Sequence, residues 1–183
     1  MENETTLLAG FMFITIITIG LGNLLLTLSD IVTGQTKTLP SATHLAWMVL
    51  LLLGYFGFYW DTTYVLKIET WNYTGFVAFL SGPVLLLFAT NLLSRVPSQD
   101  QDAKEFYISQ SDRFFALMIG VQVWVVGLDI FFESSTIHTW IDIAIGATYA
   151  LLIASGSYKL HSGVVWVMAM LMIGRMVLEA TGL

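Results

Sequence analysis

The chain has no cysteine among its 183 residues. Disulfides, thiolate metal sites and thiol nucleophiles are therefore excluded, and the redox compartment stays open. Charge is also short: 11% of residues are Asp, Glu, Lys or Arg, against about 25% in soluble domains. That deficit leaves too few ionised side chains to keep a whole surface in water. Proline occurs three times, as Pro40, Pro83 and Pro97. The histidines, His44, His138 and His161, show no HxxxH or ExxH spacing, so no haem or metal site is expected. A glycine-rich phosphate loop, a nucleophile motif and an arginine ladder are missing as well. Such a sequence predicts no catalytic set, no cofactor, no voltage-sensing helix and no nucleic-acid partner.

Apolar side chains fill the space these absences leave. They make up 56% of the chain, with a mean hydropathy of +0.77. They fall into six runs, at about residues 7–28, 43–64, 73–94, 114–132, 138–157 and 163–181. Crossing about 30 Å of hydrocarbon takes about 20 helical residues, and each run is near that length. The expected fold is all-α, a single polytopic transmembrane bundle of about six helices in a lipid bilayer. The first run is flanked by Glu2 and Glu4 with no small-residue cleavage site after it, so it reads as a retained helix and not a signal peptide. The stretch SRVPSQDQDAKEFYISQSDR, residues 94–113, reads as a polar loop with at most a short amphipathic segment.

The seven basic residues set the orientation. Lys37, Arg95, Lys104, Arg113 and Lys159 fall in the connections after helices one, three and five, Lys67 after helix two, and Arg175 within helix six. Basic residues concentrate in cytoplasmic loops, which predicts both termini outside. The acids then divide unevenly. Five lie on the cytoplasmic side with five basic residues, and eight lie in the outer half against Lys67 and Arg175. The whole net charge of −6 therefore falls in the outer half. A surface of one sign raises the local concentration of counter-ions.

Within that half, Gln122, Asp129 and Glu133 are spaced by seven and four residues, which places them on one helical face. Asp61, Asp142, Arg175 and Glu179 lie at similar depth. An ionised side chain inside a membrane costs about 2.5–3.5 kcal/mol on insertion scales, so it faces a partner or a water-filled cavity. Two readings stay open. Arg175 with Glu179, four residues on, and with Asp129 or Asp142 makes an ion pair that locks helices four, five and six. Alternatively, Gln122, Asp129, Glu133 and Asp142 line a vestibule that draws cations, with Arg175 and Glu179 as its ion pair or gate.

Other features read as architecture. Ser81-Gly82-Pro83 predicts a kink in helix three, and transporters place binding sites at such breaks, so Ser81 and Pro83 mark a candidate groove. Thr15, Thr18, Gly22 and Asn23 in helix one, and Gly146, Ala150 and Ala154 in helix five, read as close-packing faces. Tyr55 to Trp60, with Trp71 and Tyr73, reads as an interfacial aromatic belt. At this size, with small-residue ridges, a homo-oligomer is expected.

Several segments carry a resemblance: His44-Leu45-Ala46-Trp47, Tyr59-Trp60, Trp71, Gly82-Pro83-Val84-Leu85-Leu86, Glu105-Phe106-Tyr107 and Arg113-Phe114-Phe115. Over about residues 43–120 the chain is similar to a family of small bacterial six-helix membrane proteins without a characterised activity. Such relatives often have a tryptophan pair where this chain has Tyr59-Trp60, and a more acidic middle loop. The resemblance implies the bacterial inner membrane and puts weight on the histidine, the loop arginine and the tryptophans of these motifs. It implies no activity. From the residues, the expected function is a small ion channel or transporter with cation preference. The alternative is a membrane sensor or accessory subunit that binds a lipid, a small ligand or a partner protein without transport.

Overall fold

Six helices follow one another in the computed structural model: α1 (Glu2–Val32), α2 (Ala42–Val65), α3 (Tyr73–Leu93), α4 (Ala103–Phe131), α5 (Thr136–Ser155) and α6 (Tyr158–Thr181). The structure describes the backbone of residues 2–65, 68, 71–131 and 136–181, and the side chains of 4–59, 68, 71–131 and 139–177. No strand occurs among them. Five of the helices are long and apolar enough to cross a membrane, and the described part of α5, Thr139–Ser155, is apolar but shorter. The chain is an all-helical transmembrane bundle.

Successive helices run in opposite directions. At the end where the odd-numbered helices begin (the near end), Trp71 Nε1 donates to Thr6 Oγ1 at 3.2 Å, and the Thr18 and Tyr59 hydroxyls meet at 3.0 Å. At the opposite, far end, Thr27 Oγ1 donates to the Ser94 carbonyl at 3.5 Å. Helix α3 packs between α1 and α4, α5 lies against α4, and α6 joins α5 to α2.

Helical periodicity decides which residues enter the core. In α1, Ala9, Phe13, Ile17 and Leu24 are buried, with Gly20 on the same face, where its bare Cα admits the Tyr55 ring tip. Of the face expected from Thr15, Thr18, Gly22 and Asn23, Thr18 and Asn23 bond to neighbouring helices, to Tyr59 of α2 and to Asn91 of α3 at 3.1 Å. Thr15 instead back-bonds to Phe11, and a Cβ at Gly22 would meet nothing within 4 Å. In α5 the buried residues are Asp142, Ile145, Tyr149 and Leu152. Of the expected small-residue ridge only Gly146 meets a neighbour, Gln122; Ala150 and Ala154 lie on the outside. Tyr55 is also not part of a belt. It is fully buried, with its hydroxyl 2.5 Å from Thr90 Oγ1. Thr90 itself donates to the Leu86 carbonyl, so Tyr55 is the donor.

The main boundary correction is in α4. The stretch read as a loop through residue 113 is helical from Ala103, eleven residues before the apolar run begins. Asp102 starts the helix: its Oδ1 accepts from the backbone N–H of Lys104 at 2.8 Å and of Glu105 at 3.0 Å. Those two donors hold the exposed carboxyl below its usual pKa. Asp102 and Glu105 make the spacing of a capping box. At 1.5 Å per residue, the 29 residues of α4 span about 43 Å, so its first turns project beyond the hydrocarbon. Helices α2, α3 and α5 start and end within two residues of the expected runs, whereas α1 begins five residues early and ends four late, and α6 begins five early. Between α5 and α6 the chain turns through Gly156, whose φ of 54° favours glycine.

Candidate functional site

The buried residues of α4 include Phe115, Gln122 and Asp129, seven apart, which a helix returns to nearly the same face. That face turns toward α5, where Asp142 is fully buried. Asp142 Oδ1 accepts from Arg175 Nη1 of α6 at 2.8 Å, and the Asp129 and Gln122 side chains stand beside the same carboxyl. The Gln122 side chain packs over Gly146, where a Cβ would come within 3.3 Å of Gln122 Cγ. Asp142 is six residues from the start of α5 and Arg175 six from the end of α6. At 1.5 Å per residue the cluster therefore lies about 9 Å below the near end of these helices.

Two acceptors of the cluster, Asp142 Oδ2 and Asp129 Oδ2, and one donor, Gln122 Nε2, are buried without a hydrogen-bond partner. Among the described residues two carboxyl groups gather with one guanidinium, so with both carboxyls ionised the cluster carries one negative charge that Arg175 does not balance. In a low-dielectric interior an uncompensated charge is costly, and a cation or a proton relieves it.

The cluster opens onto a cavity of about 90 Å³ between α2, α4, α5 and α6. Gln122 and Arg175 line its near-end part, Gly54 and Gly57 its α2 wall, and Tyr149 and Trp47 its deeper part. Such a volume has room for several waters. Below it, an aromatic layer closes the bundle: the Trp47 and Phe115 rings are 4.9 Å apart, Phe114 and Phe115 5.0 Å, and Phe115 and Tyr149 5.7 Å.

Beyond that layer, at the far end, lies a second buried polar group. His44 Nε2 is 2.6 Å from the Leu93 carbonyl and His161 Nε2 is 3.1 Å from the Leu152 carbonyl. A carbonyl only accepts, so both Nε2 atoms carry the proton and donate. His44 thus satisfies a carbonyl in the last turn of α3. The Leu152 carbonyl, in the last turn of α5, accepts from His161 in addition to the Gly156 N–H at 3.4 Å and Ser155 Oγ at 3.0 Å. With Nε2 protonated, neutral His161 accepts at Nδ1, and the Tyr107 hydroxyl, 3.0 Å away, is its donor. The His44 ring lies 5.7 Å from that of Tyr107, and His44 Nδ1 is buried without a partner.

The backbone before Pro83 is held from within α3 and from α4. The Ala78 carbonyl, adjacent to the one that Pro83 leaves without its helical donor, accepts from Ser81 Oγ at 2.7 Å and from Trp124 Nε1 at 2.9 Å. Trp124 lies directly on Gly82, where a Cβ would overlap its ring. Ser81 and Trp124 line a groove of about 520 Å³ between α3 and α4.

Of the residues expected to form the site, Gln122, Asp129, Asp142 and Arg175 come together, and Ser81 lines a groove beside Pro83. Glu133 lies outside the described residues, as do the side chains of Asp61 and Glu179. Trp124, the Tyr107–His161 bond and the Tyr55–Thr90 bond were not marked in the sequence, because single aromatics in apolar helices look alike. Among the described residues no group of three metal-ligating side chains occurs. In comparison with known proteins, the chain matches no family model, no curated protein and no solved structure.

Proposed function

We propose that the chain is a small cation channel or transporter of the bacterial inner membrane, with its route inside each protomer, through the cavity between α2, α4, α5 and α6. The carrying observation is the pair of buried carboxyls, Asp129 and Asp142, that stand behind the Gln122 and Arg175 side chains lining that cavity. Arg175 neutralises one acid, and the remaining charge makes the cavity attractive to a cation and hostile to an anion. With the basic loops cytoplasmic, the cluster lies toward the outer face, where cations enter. In an assembly of several copies, each copy carries its own route.

Purified protein in proteoliposomes is expected to pass at least one of Na⁺, K⁺ or H⁺ and to exclude chloride. Asp142→Asn, which keeps the side-chain shape and removes its charge, is expected to lower that flux strongly. Flux of none of these ions, or equal flux of chloride, overturns the proposal.

The groove between α3 and α4 favours a second reading. Its size suits a lipid chain or a small apolar ligand, and Ser81 and Trp124 on its wall both donate to the Ala78 carbonyl before Pro83. On that reading the protein is a sensor or accessory subunit without transport. Absence of flux together with ligand-dependent change in Trp124 fluorescence supports it.

A further inference from the structure

The groove between α3 and α4 is made by side chains that are missing. Gly75 and Ala78 of α3 and Gly120 and Gly127 of α4 line it, and at Gly127 a Cβ would meet nothing within 4 Å. Trp124 gives it a fixed wall. The indole stacks on Phe58 of α2 at 5.5 Å, and its N–H is tied to the Ala78 carbonyl.

The groove runs from Trp71 and Asn72 at the near end to Leu85 and Gly120 inside the bundle. From Gly75 to Leu85 is ten residues of α3, or about 15 Å at 1.5 Å per residue. A hydrocarbon core about 30 Å thick gives each leaflet the same depth. Trp71, at the mouth, suits the interface where headgroups begin.

Two features choose the occupant. The side-chain donors along the groove are already used: Ser81 Oγ and Trp124 Nε1 donate to the Ala78 carbonyl, and Trp71 Nε1 donates to Thr6 Oγ1. A polar ligand would give up its bonds to water and gain none from these donors. Hydrocarbon gives up nothing, and it gains dispersion contacts along the whole groove. The groove is also continuous with the surface that the bundle turns to the bilayer. Val123 and Phe131, which line it, are 67% and 72% exposed. A chain of the surrounding lipid therefore enters without leaving the membrane.

We infer that the groove holds one acyl chain of a phospholipid from the near-end leaflet, lying lengthwise against Trp124 with its headgroup at the level of Trp71 and Asn72. With the basic loops cytoplasmic, that leaflet is the outer one. The inference deepens the second reading above by naming the ligand of the groove. Ion flux would overturn that reading and leave this site standing, because the test here does not depend on transport.

The protein is placed in phosphatidylcholine vesicles whose acyl chains are either plain or brominated, since bromine quenches a tryptophan that it touches. The difference between the wild-type protein and Trp124→Phe reads Trp124 alone. Trp124 is expected to lose most of its emission in the brominated vesicles. Gly127→Leu puts a side chain into the groove and is expected to restore most of it. Equal Trp124 emission in plain and brominated vesicles overturns the inference. So does quenching that Gly127→Leu leaves unchanged, which places the chain elsewhere. Protection of Trp124 in a dimer that Gly127→Leu dissociates makes a second copy the occupant, and also overturns it. If Gly127→Leu does not fold, the mass of the wild-type protein released from detergent decides. One retained phospholipid per chain is expected, and a bare chain overturns the inference.

Discussion

Arg175→Gln is expected to destabilise the protein toward the lower end of about 3–5 kcal/mol, the cost of removing one partner of a buried ion pair. The lower end applies because 21% of the Arg175 side chain is exposed while Asp142 is fully buried. Removal of the guanidinium leaves the Asp142 carboxyl facing Asp129 with no cation between helices α5 and α6. The second substitution Asp142→Asn in the same chain removes the charge that was left unpaired, so the double variant is expected to recover most of the loss. Thermal unfolding in detergent measures both. A double variant no more stable than Arg175→Gln would show that the pair is not what Arg175 supports.

Gly82→Ala is expected to cost about 1–3 kcal/mol, the range for forcing extra atoms into a packed contact. The added Cβ overlaps the Trp124 ring. It therefore displaces the indole whose N–H holds the Ala78 carbonyl, one turn before Pro83. The sign is opposite to that of an ordinary helical glycine. Gly22→Ala, where a Cβ meets nothing within 4 Å, is expected to gain up to about 1 kcal/mol from helix propensity alone. Combining Gly82→Ala with Trp124→Leu should relieve the overlap, so the cost of Gly82→Ala becomes smaller in that background. An equal cost in both backgrounds would place the strain elsewhere.

The two substitutions also show what was legible in sequence. The seven-residue spacing of Gln122 and Asp129 placed them on one face, and the depth of Asp142 and Arg175 marked them as needing partners. These are local consequences of helical geometry and of the cost of charge in lipid. Which carboxyl Arg175 would meet was open, because the choice between Asp129 and Asp142 depends on how α4, α5 and α6 pack. Hydropathy located the membrane segments, but a membrane boundary is not a helix boundary. Helix α4 runs on past the hydrocarbon from Ala103, and the Asp102–Glu105 spacing was the signal that marked its start. The small residues misled for a related reason. Gly22, Ala150 and Ala154 can permit close approach, yet only the neighbour's position decides whether they are used. At Gly20 and Gly82 a bulky aromatic fills the space, and nothing in the local sequence singles those two glycines out.

The most direct test uses the absence of cysteine. Gly57 lines the cavity and Gly127 lines the groove between α3 and α4, and at both a Cβ meets nothing within 4 Å. Gly57→Cys and Gly127→Cys can therefore each be placed without disturbing a neighbour, and each is the sole thiol in its chain. Proteoliposome flux is measured before and after treatment with a small charged thiol reagent. Modification of Gly57→Cys is expected to stop the flux, and modification of Gly127→Cys to leave it unchanged. Flux that survives labelling at Gly57→Cys and stops on labelling at Gly127→Cys would contradict a route through the cavity beside Asp142 and Arg175.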